Sequence, residues 1–333
     1  MPILSKYKGP IFSVVVTLLV LGFVGNWFLK DADLNQVIST LQNISFTSII
    51  LLLISAIFNI WIFQYPYLVT TPNLKFLEAF QVRHTSFAIS NALPAGGTIG
   101  LSFQYTMLRS FGVGIKETSA TIGIASLWNG LISFFMPVLG LVALVLTGEV
   151  TQGLVRSTVL GVVVLIISII IFYIALKSAQ GSLWVGSLIS RLINPTRTFF
   201  KKPRIDLSKA INTFRQEVNH LVATRWKAIS VSNFVVQMGM FFVFWASADA
   251  LGIEVSVGII FAVFCFGRLG TTIPFTPGGL GTTDLIMSAM LQIYGVSAEL
   301  SLAAVLLWRG FFYVPQVLLG LLSFIYWQLS RVK

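Results

Sequence analysis

The sequence predicts an all-α polytopic membrane protein, with about six full spans plus two Pro/Gly-broken re-entrant hairpins in an inverted repeat. Three observations predict it. Hydrophobic residues fill 56% of the 333 positions and charged residues only 10%, against about 25% charged in a soluble domain. Several apolar stretches reach about 18 residues or more, long enough to cross a bilayer as helices. Two apolar segments, each interrupted by Pro and Gly, recur with the same landmarks in the same order.

The elements follow in order. Residues 11–29 form a first span behind Lys6 and Lys8. The run exceeds the roughly 7–15-residue core of a cleavable signal, so it is expected to be retained. Residues 31–45 suit a short interfacial helix. A second span at 46–70 closes on Thr71-Pro72. Residues 76–112 are apolar but broken at Pro94-Ala95-Gly96-Gly97. Spans follow at 117–147 and 153–177. Residues 178–226 form a basic loop with an amphipathic stretch at 207–222. A span at 227–250 leads to a second broken segment, 254–297, interrupted at Pro274-Phe275-Thr276-Pro277-Gly278-Gly279. The last span is 298–329. The whole chain, 1–333, reads as one transmembrane domain, with a first repeat at about 76–147 and a second at about 254–329.

Charge sets the expected orientation. The 177–227 region holds ten Lys and Arg against Asp206 and Glu217, which places it in the cytoplasm together with both termini, in the inner (plasma) membrane. Asp249, Glu254 and Glu299 mark the outer side. Residues 76–112 then begin and end inside, and 254–297 begin and end outside, so the two broken segments have opposite orientation. The formal net charge of +11 is explained by topology, and no nucleic-acid partner is expected, since no reading module accompanies the charge. The lone Cys265 excludes an intrachain disulfide and a cysteine metal cluster. No His-Glu-x-x-His or Cys-x-x-Cys occurs, and Asp31-Ala32-Asp33 is too short a pattern to define a metal site. No cofactor, metal or catalytic residue is therefore expected.

The repeat is specific in its landmarks. Pro94-Ala95-Gly96-Gly97, Phe111-Gly112-Val113, Leu127-Trp128-Asn129-Gly130 and Pro137 answer to Thr276-Pro277-Gly278-Gly279, Tyr294-Gly295-Val296, Leu307-Trp308-Arg309-Gly310 and Pro315. Paired broken helices in inverted repeats are a build of secondary transporters. A break in lipid exposes N–H and C=O groups that protein, water or ligand must satisfy, and a half-helix N-terminus suits an anion. Tight turns and close helix packing are the alternative explanation of the same residues.

The segment from Arg268 through Pro274-Phe275-Thr276-Pro277-Gly278-Gly279-Leu280-Gly281 to Asp284, followed by Gly295-Val296 and Arg309, resembles the lysylphosphatidylglycerol synthase transmembrane-region family. The resemblance covers nearly the whole chain. It implies lipid handling, through flipping or as the membrane part of lipid-modifying systems. The family often carries Glu at the position of Asp284, so a carboxylate is kept one methylene shorter. The synthase activity needs a further soluble domain, and the expectation is a stand-alone member without it.

Charges inside apolar segments cost about 2.5–3.5 kcal/mol each on an insertion scale and usually face a cavity or partner. Arg268, Asp284 and Arg309 are the candidates around the second break, with Pro277, Gly278, Gly279 and Gly281 letting backbone approach a ligand. Arg suits phosphate through two parallel hydrogen bonds; an ion pair of Asp284 with either Arg is the structural alternative. Asn91, Gly96, Gly97 and Asn129 mark the first repeat. Arg83 and Arg109 read as interfacial side chains that snorkel. The expected function is translocation of an anionic phospholipid or polyprenyl-phosphate-linked lipid between leaflets. A membrane-embedded lipid transferase, with Asp284 or His84 as nucleophile or base, and a non-transporting partner of such an enzyme are the alternatives. The expected partners are membrane lipids with an anionic headgroup, with a second copy or a partner enzyme left open.

Overall fold

A computed structural model describes residue 22 and residues 33–92, 96–149, 152–199, 201–271 and 277–331. The first expected span, 11–29, lies almost entirely outside the described residues, as do Pro94, Ala95 and 272–276. The described residues form helices and no strand. In order these are α1 (Leu34–Gln42), α2 (Phe46–Ile62), α3 (Tyr65–Thr70), α4 (Phe76–Ala92), α5 (Gly96–Ser110), α6 (Ile115–Thr147), α7 (Gln152–Lys177), α8 (Ala179–Phe199), α9 (Ser208–Ala250), α10 (Val257–Gly270), a 3₁₀ turn (Pro277–Gly279), α11 (Thr282–Ile293) and α12 (Ala298–Arg331).

Among the described residues, four segments are long and apolar enough to cross a membrane: 46–70, 115–147, 208–250 and 298–331. Their outer faces are apolar. Ile50, Leu53, Ile54 and Ile57 of α2 and Leu318, Leu321, Leu322 and Ile325 of α12 are exposed. Water would penalise such continuous stripes, whereas acyl chains do not. The protein is an all-α polytopic membrane protein.

Local chemistry explains the helix ends. Asp33 caps α1, its side chain accepting from Asn35 N, and α1 buries Val37 against Leu302 and Ala303 of α12. Ser45 and Ser256 cap α2 and α10 in the same way. The 46–70 span is two helices, because Pro66 in the first turn of α3 has no N–H to continue α2.

The 178–226 region, expected as a basic loop with an amphipathic stretch, is largely helical. It is α8, a short link, and the first half of α9, which continues without a break into the 227–250 span. Residues 208–238 contain neither Gly nor Pro, so nothing interrupts the backbone hydrogen bonding. α9 packs along α8, and Gly186 of α8 lies so close that a Cβ there would sit 2.4 Å from Ser208 Cα.

The two repeats are interlocked. α4–α5–α6 and α10–α11–α12 share the same order, and in each the first two helices pack as a hairpin. Among the described residues the most extensive helix contacts are crosswise: α10 with α6, and α12 with α4. Each repeat thus lays its long helix on the first hairpin arm of the other, the reciprocal pattern that a two-fold relation produces. Gly140 of α6 and Gly320 of α12 hold equivalent places. A Cβ at Gly140 would lie 2.9 Å from Cys265 Cβ; one at Gly320 would lie 2.1 Å from His84 O.

Candidate functional site

The second break is held by a small network. At Gly278 and Gly281 the backbone turns through φ +60 and +85, which only glycine adopts without strain. That turn delivers Gly281 N to Asp284 Oδ2 at 2.8 Å, at the start of α11. The other carboxylate oxygen, Oδ1, accepts from Arg309 Nε of α12 at 2.7 Å, and Arg309 also donates to Gly279 O at 3.3 Å. Arg309 and Asp284 side chains are only 11% and 14% exposed. The guanidinium lies 4.9 Å from the Trp308 ring centroid and 5.6 Å from that of Tyr313.

Described residues beside the two breaks meet. Asn91, one residue from the end of α4, accepts the Tyr313 hydroxyl on its carbonyl at 2.8 Å. Its amide oxygen lies where a Cβ on Gly278 would be, 1.9 Å away. A side chain at Gly278 would therefore have to displace the Asn91 amide.

Beside this junction lies a cavity of about 300 Å³. It is lined by Arg83 and Asn91 of α4, Asn129 of α6, Arg268 of α10, Gly278 of the turn and Arg309 of α12. Asn129 and Arg309, equivalent landmarks of the two repeats, face the same space. Three arginines converge there, and among the described residues the one ion pair is Arg309–Asp284. Arg83 donates to Phe63 O at 3.2 Å and lies over the Phe63 and Tyr67 rings at 4.2 and 4.9 Å. Arg268 is 8% exposed, and its Nε has no hydrogen-bond partner among the described residues. Neutral polar groups complete the wall. Tyr67 donates to Gln104, which donates to Ser86. Gln237 donates to Asn129 Oδ1 at 3.4 Å.

The structure thus brings together Arg268, Arg309, Gly278, Asn91 and Asn129, with Asp284, Gly279 and Gly281 behind Arg309. Pro277 opens the 3₁₀ turn. Gly96 and Gly97 start α5 away from the cavity lining. A Cβ at Gly96 would strike Ile89 O at 2.4 Å, whereas Gly97 has open space. Gly96 serves hairpin closure, and nothing in the structure explains Gly97. Arg109 donates to Val113 O at the exit of α5 and does not line the cavity.

Arg83 does line it, against the snorkelling expectation. Its signal was present in the sequence: Arg83, Phe87 and Asn91 recur every four residues, on one face of a helix. His84 points elsewhere. It is fully buried, with its ring 4.2 Å from Phe80 and 5.3 Å from Phe63, and is absent from the cavity wall. It offers no base to a substrate there.

A buried cluster of cations with one carboxylate, set where two Pro/Gly-broken helix pairs meet, defines a polytopic membrane protein with an internal polar site. The chain belongs to the family described as the lysylphosphatidylglycerol synthase TM region, whose model matches residues 11–320. This is a family of membrane proteins related to lipid modification. The chain is also similar to a protein of Methanothermobacter thermautotrophicus described as a UPF0104 membrane protein, with 23% identity over 242 residues, or 69% of each chain.

Proposed function

We propose that this protein moves an anionic phospholipid, or a polyprenyl-phosphate-linked lipid, between leaflets, with its phosphate held among Arg83, Arg268 and Arg309. One observation carries the reading. Three guanidinium groups share one cavity, and among the described residues only Arg309 has a carboxylate, leaving two formal positive charges without an anion there. Buried cations of that kind require a counter-charge, and a phosphate supplies it in the planar geometry that Arg recognises.

The two breaks support translocation over simple binding. α4, α5, α10 and α11 have 17, 15, 14 and 12 residues. At 1.5 Å per residue each is about 18–26 Å long, short of the roughly 30 Å hydrocarbon core. In this reading both hairpins are re-entrant, enter from opposite faces and meet at mid-depth, so the site is reachable from either leaflet as the repeats rock.

Arg309→Lys tests the site while keeping a cation beside Asp284. Folded yield should match wild type, and movement of fluorescent phosphatidylglycerol in reconstituted vesicles should fall roughly five- to tenfold, the value of about one net hydrogen bond. Unchanged movement would remove Arg309 from the mechanism. Native mass spectrometry of co-purified lipid would name the headgroup.

The same reading puts both termini and residues 178–226 in the cytoplasm, inside the inner membrane, because basic residues gather there. Lys202 is exposed, so a Lys202→Cys variant in a Cys265→Ser background should resist a membrane-impermeant thiol reagent in intact cells and react after lysis. Labelling before lysis would reverse the orientation.

A further inference from the structure

A second cavity adjoins the first. It occupies about 540 Å³ between α6, α7, α8 and α9. Its wall is apolar apart from Ser126, Ser168 and Arg215, and Leu127, Leu131, Phe134, Phe172, Leu176 and Phe214 are among the side chains that line it. Ser126 lines both cavities, and it is exposed. On α6, Asn129 faces the arginine cavity and the next residue, Gly130, faces the apolar one. One helix therefore carries a boundary between a cationic space and a largely apolar space that share Ser126 as a wall residue.

We infer that the apolar cavity holds one acyl chain of the same phospholipid whose phosphate occupies the arginine cavity. The inference rests on the proposed function for the headgroup and adds a site for the tail. An amphiphile matches the pair of cavities in polarity and order: anion among arginines, glycerol backbone at Ser126, chain along Leu127–Phe134. Water gains too few partners in a space with so little polar lining, and the volume lies in the range of pockets that enclose a ligand. It suits a single chain and is far too small for a long polyprenyl tail. A chain taken from the bilayer gains little by entering, since lipid is as apolar as the wall. The cavity instead spares the tail from polar surroundings while the phosphate leaves the interface.

Gly130 gives a clean test, because a Cβ there meets no atom within 4 Å. Gly130→Phe starts from that open Cβ position and directs a ring at the apolar cavity, and Gly130→Ala is the control. Ala175→Phe directs a ring at the same cavity from α7 and serves if Gly130→Phe does not fold. Full-length protein in detergent is titrated with glycerol 3-phosphate, which has no chain, and with dioleoyl phosphatidylglycerol, and binding is read by thermal shift and native mass spectrometry. The expected result is that the filled variants bind glycerol 3-phosphate as wild type does and bind phosphatidylglycerol at least tenfold more weakly, with Gly130→Ala unchanged. Undiminished phosphatidylglycerol binding by both filled variants would overturn the tail site and leave the headgroup site standing. Loss of both ligands in a filled variant would also overturn it, since the two cavities would then not act separately. A wild-type protein that binds neither probe would overturn the arginine site, and the tail site with it.

Discussion

Arg268→Met should abolish phosphate binding and cut lipid movement roughly 10- to 150-fold, the equivalent of about 1.5–3 kcal/mol for a hydrogen bond to a charged group, while folded yield stays at or above wild type. The pairing is unusual for a buried residue. Removing a buried side chain normally destabilises. Arg268 is 8% exposed, has no carboxylate, and its Nε has no partner among the described residues. In the empty protein its charge is therefore a cost, and an apolar side chain of similar length relieves it. With an anion bound, the same charge becomes the gain. Arg268→Lys should restore part of the movement, keeping the charge without the planar fork. Vesicle-based lipid movement and heat-induced loss of monodisperse protein are the two readouts. A methionine variant that moves lipid at the wild-type rate would show that Arg268 does not hold the headgroup, and one that fails to fold would make it structural.

Asp284→Ala should have the largest effect on stability, about 3–5 kcal/mol, because it leaves Arg309 buried without its counter-ion. The carboxylate also ties Gly281 N to the start of α11, so its loss frees the second break as well. Asp284→Ala with Arg309→Met removes both charges. That double variant should recover most of the stability and none of the lipid movement, since a pair removed together leaves no orphan. Asp284→Glu should keep both functions in part, its longer side chain shifting the contact by one methylene. An Asp284→Ala protein as heat-resistant as wild type would mean that the Arg309–Asp284 contact contributes nothing to holding the hairpin.

The contrast between these two residues shows how far the amino-acid order reaches. Both are charges in apolar segments beside one Pro/Gly break, and sequence alone assigns them the same pair of readings. Only the packing of α10, α11 and α12 separates them: Asp284 faces Arg309 at 2.7 Å, and Arg268 faces the cavity without a carboxylate. Arg83 shows the same limit. Its four-residue spacing to Phe87 and Asn91 is visible in the chain, but its distance from the cavity is set by α4 lying against α12, more than two hundred residues away.

Composition and hydropathy by themselves determined the membrane class, most of the spans and the places where helices break. These follow from local physics: apolar length against bilayer thickness, proline without an N–H, glycine with φ above zero. The same local physics holds in α9, where the absence of Gly and Pro from 208–238 makes one helix of what polarity had divided into an amphipathic stretch and a span. The tertiary structure alone decided which arginine is paired, that Asn129 and Arg309 face one space, and that an apolar cavity shares Ser126 with it. Those depend on the crosswise contact of α4 with α12 and α10 with α6, whose partners lie far apart in the chain. Periodicity places a side chain on a face of its helix, but the identity of the opposing face comes only from how the helices cross.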